Sequence, residues 1–418
     1  MISINDGPIV IFKDGYTVGS GRKTAYTGEY TITGCGKTDN TIVIKEGNIS
    51  ITIENVDINT SGTAFSIEGR ATVNLTLNGQ NRLESGHKQA GLHVPTCTSL
   101  IITEESKGSL EAIGKGVYGC GHGGAGIGSN PKENYGVIII NGGIVNAIAT
   151  DVTNAAGIGG GSYGAGGNIT INGGTVTAFS NGLGAGIGGG FERDGGNITI
   201  NGGAVDATST RYGAGIGGGF RGDGGHIQIT GGIVKAIGGC YSAGIGGGYD
   251  EVGGEVTISG GVVMAIGNDN VGIGGSQRKE KYVFFDTGLA GNAIIFTNKL
   301  GNTLYKEYWS GLIFSENEGI IRSDGNKFKQ IDANTMEDIS LKLTNNIEKL
   351  LENSGLNVSL TNQITVFEAA VAGTKEMPEG SDGSYSFIIE AKINDKIYQA
   401  SGTGVILAEI YKETNQSI

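Results

Sequence analysis

Aromatic side chains at one fixed interval are the residues of this chain best suited to recognition chemistry. Phe191, Phe220 and Tyr249 lie 29 residues apart, and Leu183, Tyr212 and Tyr241 keep the same interval. Rings on such a beat have two uses. They can stack on one another and stabilise the fold, or they can offer flat faces to the rings of a sugar. Phe191, Tyr212, Phe220, Tyr241 and Tyr249 are therefore the candidate ligand-binding residues. Carboxylates follow the same beat. Asp194 and Asp223 share a column in which Val252 comes next, and the neighbouring column runs Glu192, Arg221, Asp250. Paired carboxylates are the tools of glycoside hydrolysis. An acid, base, acid order on adjacent repeats reads instead as a surface ion-pair ladder, worth little per pair. No catalytic residue is assigned on this pattern, and the expectation is a protein that is not an enzyme.

Other motifs carry less. His87, His93, His122 and His226 lack metal-site spacing, and so do Cys35, Cys97, Cys120 and Cys240, which read as buried free thiols. Neither a metal nor a cofactor is expected. Gly15 to Thr24 has the glycines of a phosphate loop, but an arginine precedes its lysine and no helix follows. Arg221-Gly222-Asp223 spells an attachment tripeptide within a glycine-rich turn, where chance accounts for it. A calcium-binding nonapeptide series and a G-x-S-x-G elbow are both missing.

The columns exist because the chain repeats. The isoleucine of A-G-I-G, or V-G-I-G, falls at 127, 158, 187, 216, 245 and 273, with spacings of 31, 29, 29, 29 and 28. A Gly-Gly pair keeps the beat from Gly142 to Gly260. Between these markers lie two alternating segments per unit, such as Ile198 with Ile200 and Val205 with Ala207. Each unit reads as three short strands separated by glycine turns. Alternation puts its few apolar residues on one face, too few to offset the entropy of ordering the unit alone. Stacked units share edges and a core. The predicted fold is mostly β: a right-handed parallel β-helix, a solenoid with one rung per ~29 residues. In this register Ala185 and Ile187 point inward and Gly186 and Gly188 outward, predicting a bare strip of exposed glycine backbone. Phe65 and Leu92 fall near the A-G-I-G column, which extends the helix towards the N-terminus.

The chain divides into residues 1–40 as an N-terminal cap and first rung, 41–275 as the parallel β-helix, 276–333 as a transition segment with Trp309, 334–355 as an amphipathic helix, and 356–418 as a small C-terminal β-domain. The helix follows from Ile339, Leu343, Ile347, Leu350 and Leu351 on one face. Gly makes up 80 of 418 residues and Pro only 4, which excludes collagen. A net charge of −12 without a basic cluster argues against nucleic acid and against an anionic membrane surface. No apolar run has the length of a membrane helix, so membrane insertion is not expected. The N-terminal residues lack a signal-peptide pattern, and a sortase-type tail is missing. Either a leader was removed or the protein leaves its cell by another route.

The phrases AGIGGG and GGNITINGGTVTA, preceded by NLTLNGQNRLESG and AGLHVPTCTSLIIT, resemble the glycine-rich "carbohydrate-binding" parallel β-helix modules of Gram-positive bacterial surface proteins and their phages. The resemblance spans roughly residues 40–275 and implies a right-handed β-helix with glycan binding; it places no ligand residues on this chain. The expected function is extracellular recognition or adhesion, on a cell surface or a phage-like tail. The partner is a polysaccharide or cell-surface glycan held along the helix side. Two alternatives stand beside it. One is a structural subunit whose glycine-rich face mediates trimer or filament assembly as a homo-oligomer. The other is a tailspike-like glycan depolymerase.

Overall fold

The fold was obtained as a computed structural model, which describes residues 1–117, 121–150, 153–165, 167–258, 262–268 and 272–275. Beyond these it describes Thr344, Gln363 and the strand backbones within 282–406. The chain is a parallel β-helix. One coil runs through Ile187–Gly188, Asn197–Ile200 and Ala204–Ser209. Each strand pairs in parallel with its equivalent in the next coil, Ile187 with Ile216, Ile198 with Ile227 and Val205 with Val234. Three strand columns therefore rise along the molecule.

Alternation decides what each column buries. Ile198, Ile200, Ala207, Ile187 and Ala185 are fully buried, and Val205 nearly so. Between them Asn197 is exposed and Thr199 half-buried. Outward amides then align into ladders, with Asn172 donating to Asn141 at 2.8 Å, Asn201 to Asn172 at 2.8 Å and Thr230 to Asn201 at 2.7 Å. The corner after each of these residues needs a left-handed conformation. Gly174, Gly203 and Gly232 supply it at φ 82°, 82° and 86°.

The same register continues upstream, where Leu92 pairs with both Phe65 and Ile127. At the N-terminal end the strand Ile9–Phe12 pairs in parallel with Ile42–Ile44 on one side. On the other it pairs antiparallel with Gly15–Val18, which pairs antiparallel with Thr24–Ala25. This small antiparallel flap covers the edge that a parallel column would otherwise leave open. Tyr16 of the flap and Tyr26 just after it pack edge to face with each other and with Tyr30 of the following strand, at 5.0 to 6.4 Å.

The exposed glycine strip is not what the chain builds. Gly184 through Gly190 are all buried, as are Gly213 through Gly219. A Cβ on Gly186 would lie 2.6 Å from the Thr208 nitrogen, and one on Gly188 2.1 Å from the Gly217 oxygen. The outward face of the Ile–Gly strand is covered by backbone of the chain itself. Glycine is required there for close backbone approach inside one molecule.

The cysteine expectation is also corrected. Cys35 and Cys97 are exposed and Cys240 is half-buried, because they stand at a strand irregularity, on a turn and at a strand end, outside the apolar columns. Cys120 lies outside the described residues. So do Trp309 and the expected helix at 334–355, apart from the single helical residue Thr344. After Val262–Asn268 the pairing changes from parallel to antiparallel, through Tyr282–Asp286, Gly311–Ser315 and Gly319–Arg322. Further on, Gly383–Ile393 pairs antiparallel with Val358–Leu360, Thr365–Ala370 and Lys396–Ile406. Among the described residues no helix is long and apolar enough to cross a membrane.

Candidate functional site

The coil joins its Ile–Gly strand to the next strand by a glycine turn, and this turn carries the aromatic residues. At one position of it the backbone is left-handed in five successive coils: Lys132 (φ 66°), Tyr163 (62°), Glu192 (56°), Arg221 (55°) and Asp250 (61°). The residue before it is Phe191, Phe220 or Tyr249 in the last three. Their hydrogen bonds lock them in place, with the Phe220 amide donating to the Leu183 carbonyl at 2.7 Å and the Tyr249 amide to the Tyr212 carbonyl at 3.1 Å. The two columns recognised in the sequence are thus brought together.

Phe191 and Phe220 stack 5.4 Å apart with planes 4° apart, and Phe220 and Tyr249 stack at 5.4 Å and 19°. Tyr212 meets Phe220 at 5.8 Å and 66°, and Tyr249 at 5.5 Å and 81°. Tyr241 meets Tyr249 at 5.9 Å and 76°. The faces of Phe220 are occupied by its two ladder neighbours. Tyr212 thus packs edge to face across two members of the ladder. Tyr212 is half-buried, and Tyr241 is 38% exposed. All five predicted residues lie in this one cluster, but in two roles of geometry: three rings stacked along the axis, two tyrosines set across them.

Two residues that sequence reasoning missed extend the cluster. Tyr163 packs on Phe191 at 4.9 Å and 82°, and His122 on Tyr163 at 5.6 Å. Tyr163 was hidden because it stands one turn position later than Phe191, in a turn of the same length, and so falls off the aromatic column.

The carboxylate columns are not an ion-pair ladder. Among the described residues no salt bridge joins Glu192, Arg221 and Asp250. The left-handed turn position sends these side chains outward, and the Arg221 guanidinium lies over the Phe220 ring at 5.1 Å. Asp194 and Asp223 have a backbone task. Asp194 accepts the Asp223 amide at 2.9 Å, and Asp223 accepts the Val252 amide at 3.2 Å. This explains why valine can follow, since only its N–H is used. Burial, followed by the Asp194 and Glu251 charges, raises the Asp223 carboxyl above the usual aspartate value.

A serine, histidine and glutamate also meet. Ser66 Oγ lies 3.1 Å from His93 Nδ1, and His93 Nε2 lies 2.8 Å from Glu133 Oε2. The His93 hydrogen bond holds the Glu133 carboxyl below its ordinary value. These are the residue types of a nucleophilic triad, but the exposure is inverted. Ser66 is 6% exposed, whereas the Glu133 side chain is 45% exposed. Nucleophilic catalysis needs the hydroxyl within reach of substrate. The chain of bonds here ties three coils together. No group of His, Cys, Asp and Glu that could hold a metal occurs among the described residues.

The repeat family described as Beta helix repeat matches residues 169–191, 198–220, 227–249 and 256–277. Each match begins at the second strand of a coil and ends at or just beyond the aromatic position of the turn. Such repeats occur in adhesins, tailspikes and polysaccharide-acting proteins. No curated protein and no solved structure matched the chain.

Proposed function

We propose that this protein is a non-enzymatic recognition module that binds a polysaccharide along the side of its β-helix, outside the cell, at a cell surface or on a phage-like tail. The observation that carries this reading is the Tyr212 ring, packed edge to face against Phe220 and Tyr249 of the aromatic stack and only half-buried. A flat, supported and partly exposed ring suits the apolar face of a pyranose. Phe191, Phe220 and Tyr249 hold that ring in place, and the exposed Tyr241 lengthens the platform. Contacts repeated at the spacing of coils add along one polymer by raised effective concentration.

Tyr212→Ala removes the platform while leaving the stack, so glycan affinity drops about tenfold with an unchanged circular dichroism spectrum. Unchanged affinity in a folded Tyr212→Ala, Tyr241→Ala double variant rejects the proposal. Shortening of a polysaccharide by the purified protein would replace it with a depolymerase.

A further inference from the structure

We infer that the end of the aromatic cluster nearest the N-terminus holds an anion-binding subsite, and that the glycan recognised is acidic, carrying carboxylate, sulfate or phosphate groups. The inference rests on the proposed glycan binding and names its substrate class.

An open cleft of about 510 Å³ lies there, lined by His122, Lys132, Tyr163 and Arg193. Among the described residues its lining has no carboxylate, in a chain whose net charge is −12. Arg193 is held in place by its own backbone surroundings. Its Nε donates to the Tyr163 carbonyl at 3.1 Å and one Nη to the Glu192 carbonyl at 3.0 Å. A guanidinium has five N–H donors, so the others remain for a ligand. Although Glu192 precedes it, no salt bridge joins Arg193 to a carboxylate among the described residues.

Lys132 occupies the left-handed turn position two coils before Arg193 and likewise lacks an ion pair among the described residues. Its neighbour Glu133 is engaged with His93 at 2.8 Å. A positioned guanidinium and an ammonium facing one cleft form a site for an oxyanion, because charge-assisted bonds to a fixed fork lose little ordering entropy. Tyr163 is shared by both sites: it lines the cleft and packs on Phe191 at 4.9 Å. A sugar chain lying along the tyrosines would bring its acidic substituent to Arg193 and Lys132.

The test is an array of neutral, uronate-bearing, sulfated and phosphodiester-linked polysaccharides probed with the full chain. Wild type is compared with Arg193→Gln, Lys132→Gln and Tyr212→Ala. Acidic glycans are expected to be retained over neutral ones, and the class retained identifies the anion. Arg193→Gln should weaken that binding about tenfold. Lys132→Gln should weaken it less while flattening its salt dependence, and it removes no described hydrogen bond that folding needs. Retention of neutral glycans alone, or equal retention of both, overturns the acidic subsite and leaves glycan recognition standing. So does acidic binding that is lost in Tyr212→Ala but kept in both charge variants. Retention of nothing overturns both.

Discussion

Gly188 shows at one residue how the coil depends on backbone touching backbone. It has φ +131°, and a Cβ there would sit 2.1 Å from the Gly217 oxygen. Gly188→Ala should cost on the order of 3–5 kcal/mol by combining a disfavoured φ with overpacking. Gly62, exposed with only Thr60 Oγ1 near its Cβ position at 4.0 Å, is the control, and Gly62→Ala should change little. Urea denaturation of both variants checks this. A second residue-scale effect concerns Asp223. A carboxyl raised above its unfolded value stabilises the fold fully below that value, 3.8, and loses the contribution as pH rises through the folded value. Asp223→Asn keeps the acceptor for the Val252 amide and removes the charge. The chain already uses this solution where Asn134 accepts the Ala165 amide at 3.1 Å. The variant should melt slightly higher than wild type at pH 7, with the advantage gone below pH 3.8, as read from thermal melts across pH.

The strands and turns were legible in the sequence to different depths. The A-G-I-G spacing gave the Ile–Gly column, down to the pairing of Ile127 with Ile158 and Ile158 with Ile187. It could not reveal what covers the outward glycines, because alternation assigns a side of a strand and not its neighbour. The aromatic columns were visible for the same reason as the strands, since equal turn lengths preserve phase. Tyr163 escaped because it stands one position after the aromatic column, and His122 because it lies in the coil before the spacing of 31. Ser66 and His93 had a signal of their own, occupying the slot that later coils give to Gly128 and Gly159, after Phe65 and Leu92. Tyr135 is the clearest case of one element reaching across others. Its ring is fully buried, and its hydroxyl donates to the Gly195 carbonyl at 3.1 Å, 60 residues away. The glycines of the following turns make room for it, since a Cβ on Gly167 would lie 2.5 Å from the ring. Tyr135→Phe should cost about 1 kcal/mol by orphaning that carbonyl, and Tyr135→Ala about 3–5 kcal/mol by leaving a cavity. Chemical denaturation of both variants separates the bond from the ring.

A solenoid whose coils pair in one register behaves as a sum of units and interfaces, and this makes the whole molecule editable by coils. Removing residues 197–225 joins Gly196 to His226, which holds the same position one coil later as Asn197. Ile198 is replaced by Ile227, Val205 by Val234 and Ile216 by Ile245, so every buried column remains continuous. The shortened chain should fold with parallel β structure intact and a melting temperature only slightly lower. Its binding surface should change sharply. Phe191 would now stack on Tyr249 and Tyr241 would take the column position of Tyr212, but one ring of each column would be gone and the platform shortened to a single tyrosine. Glycan affinity should therefore fall at least as far as in Tyr212→Ala, while the circular dichroism melt stays cooperative. Removing only 197–210 has the opposite consequence, because it brings a turn against a strand and offsets inward from outward residues across the junction. That variant should lose the cooperative melt. A full-coil deletion that unfolds, or a half-coil deletion that does not, would show that the coils are not the independent units their register describes.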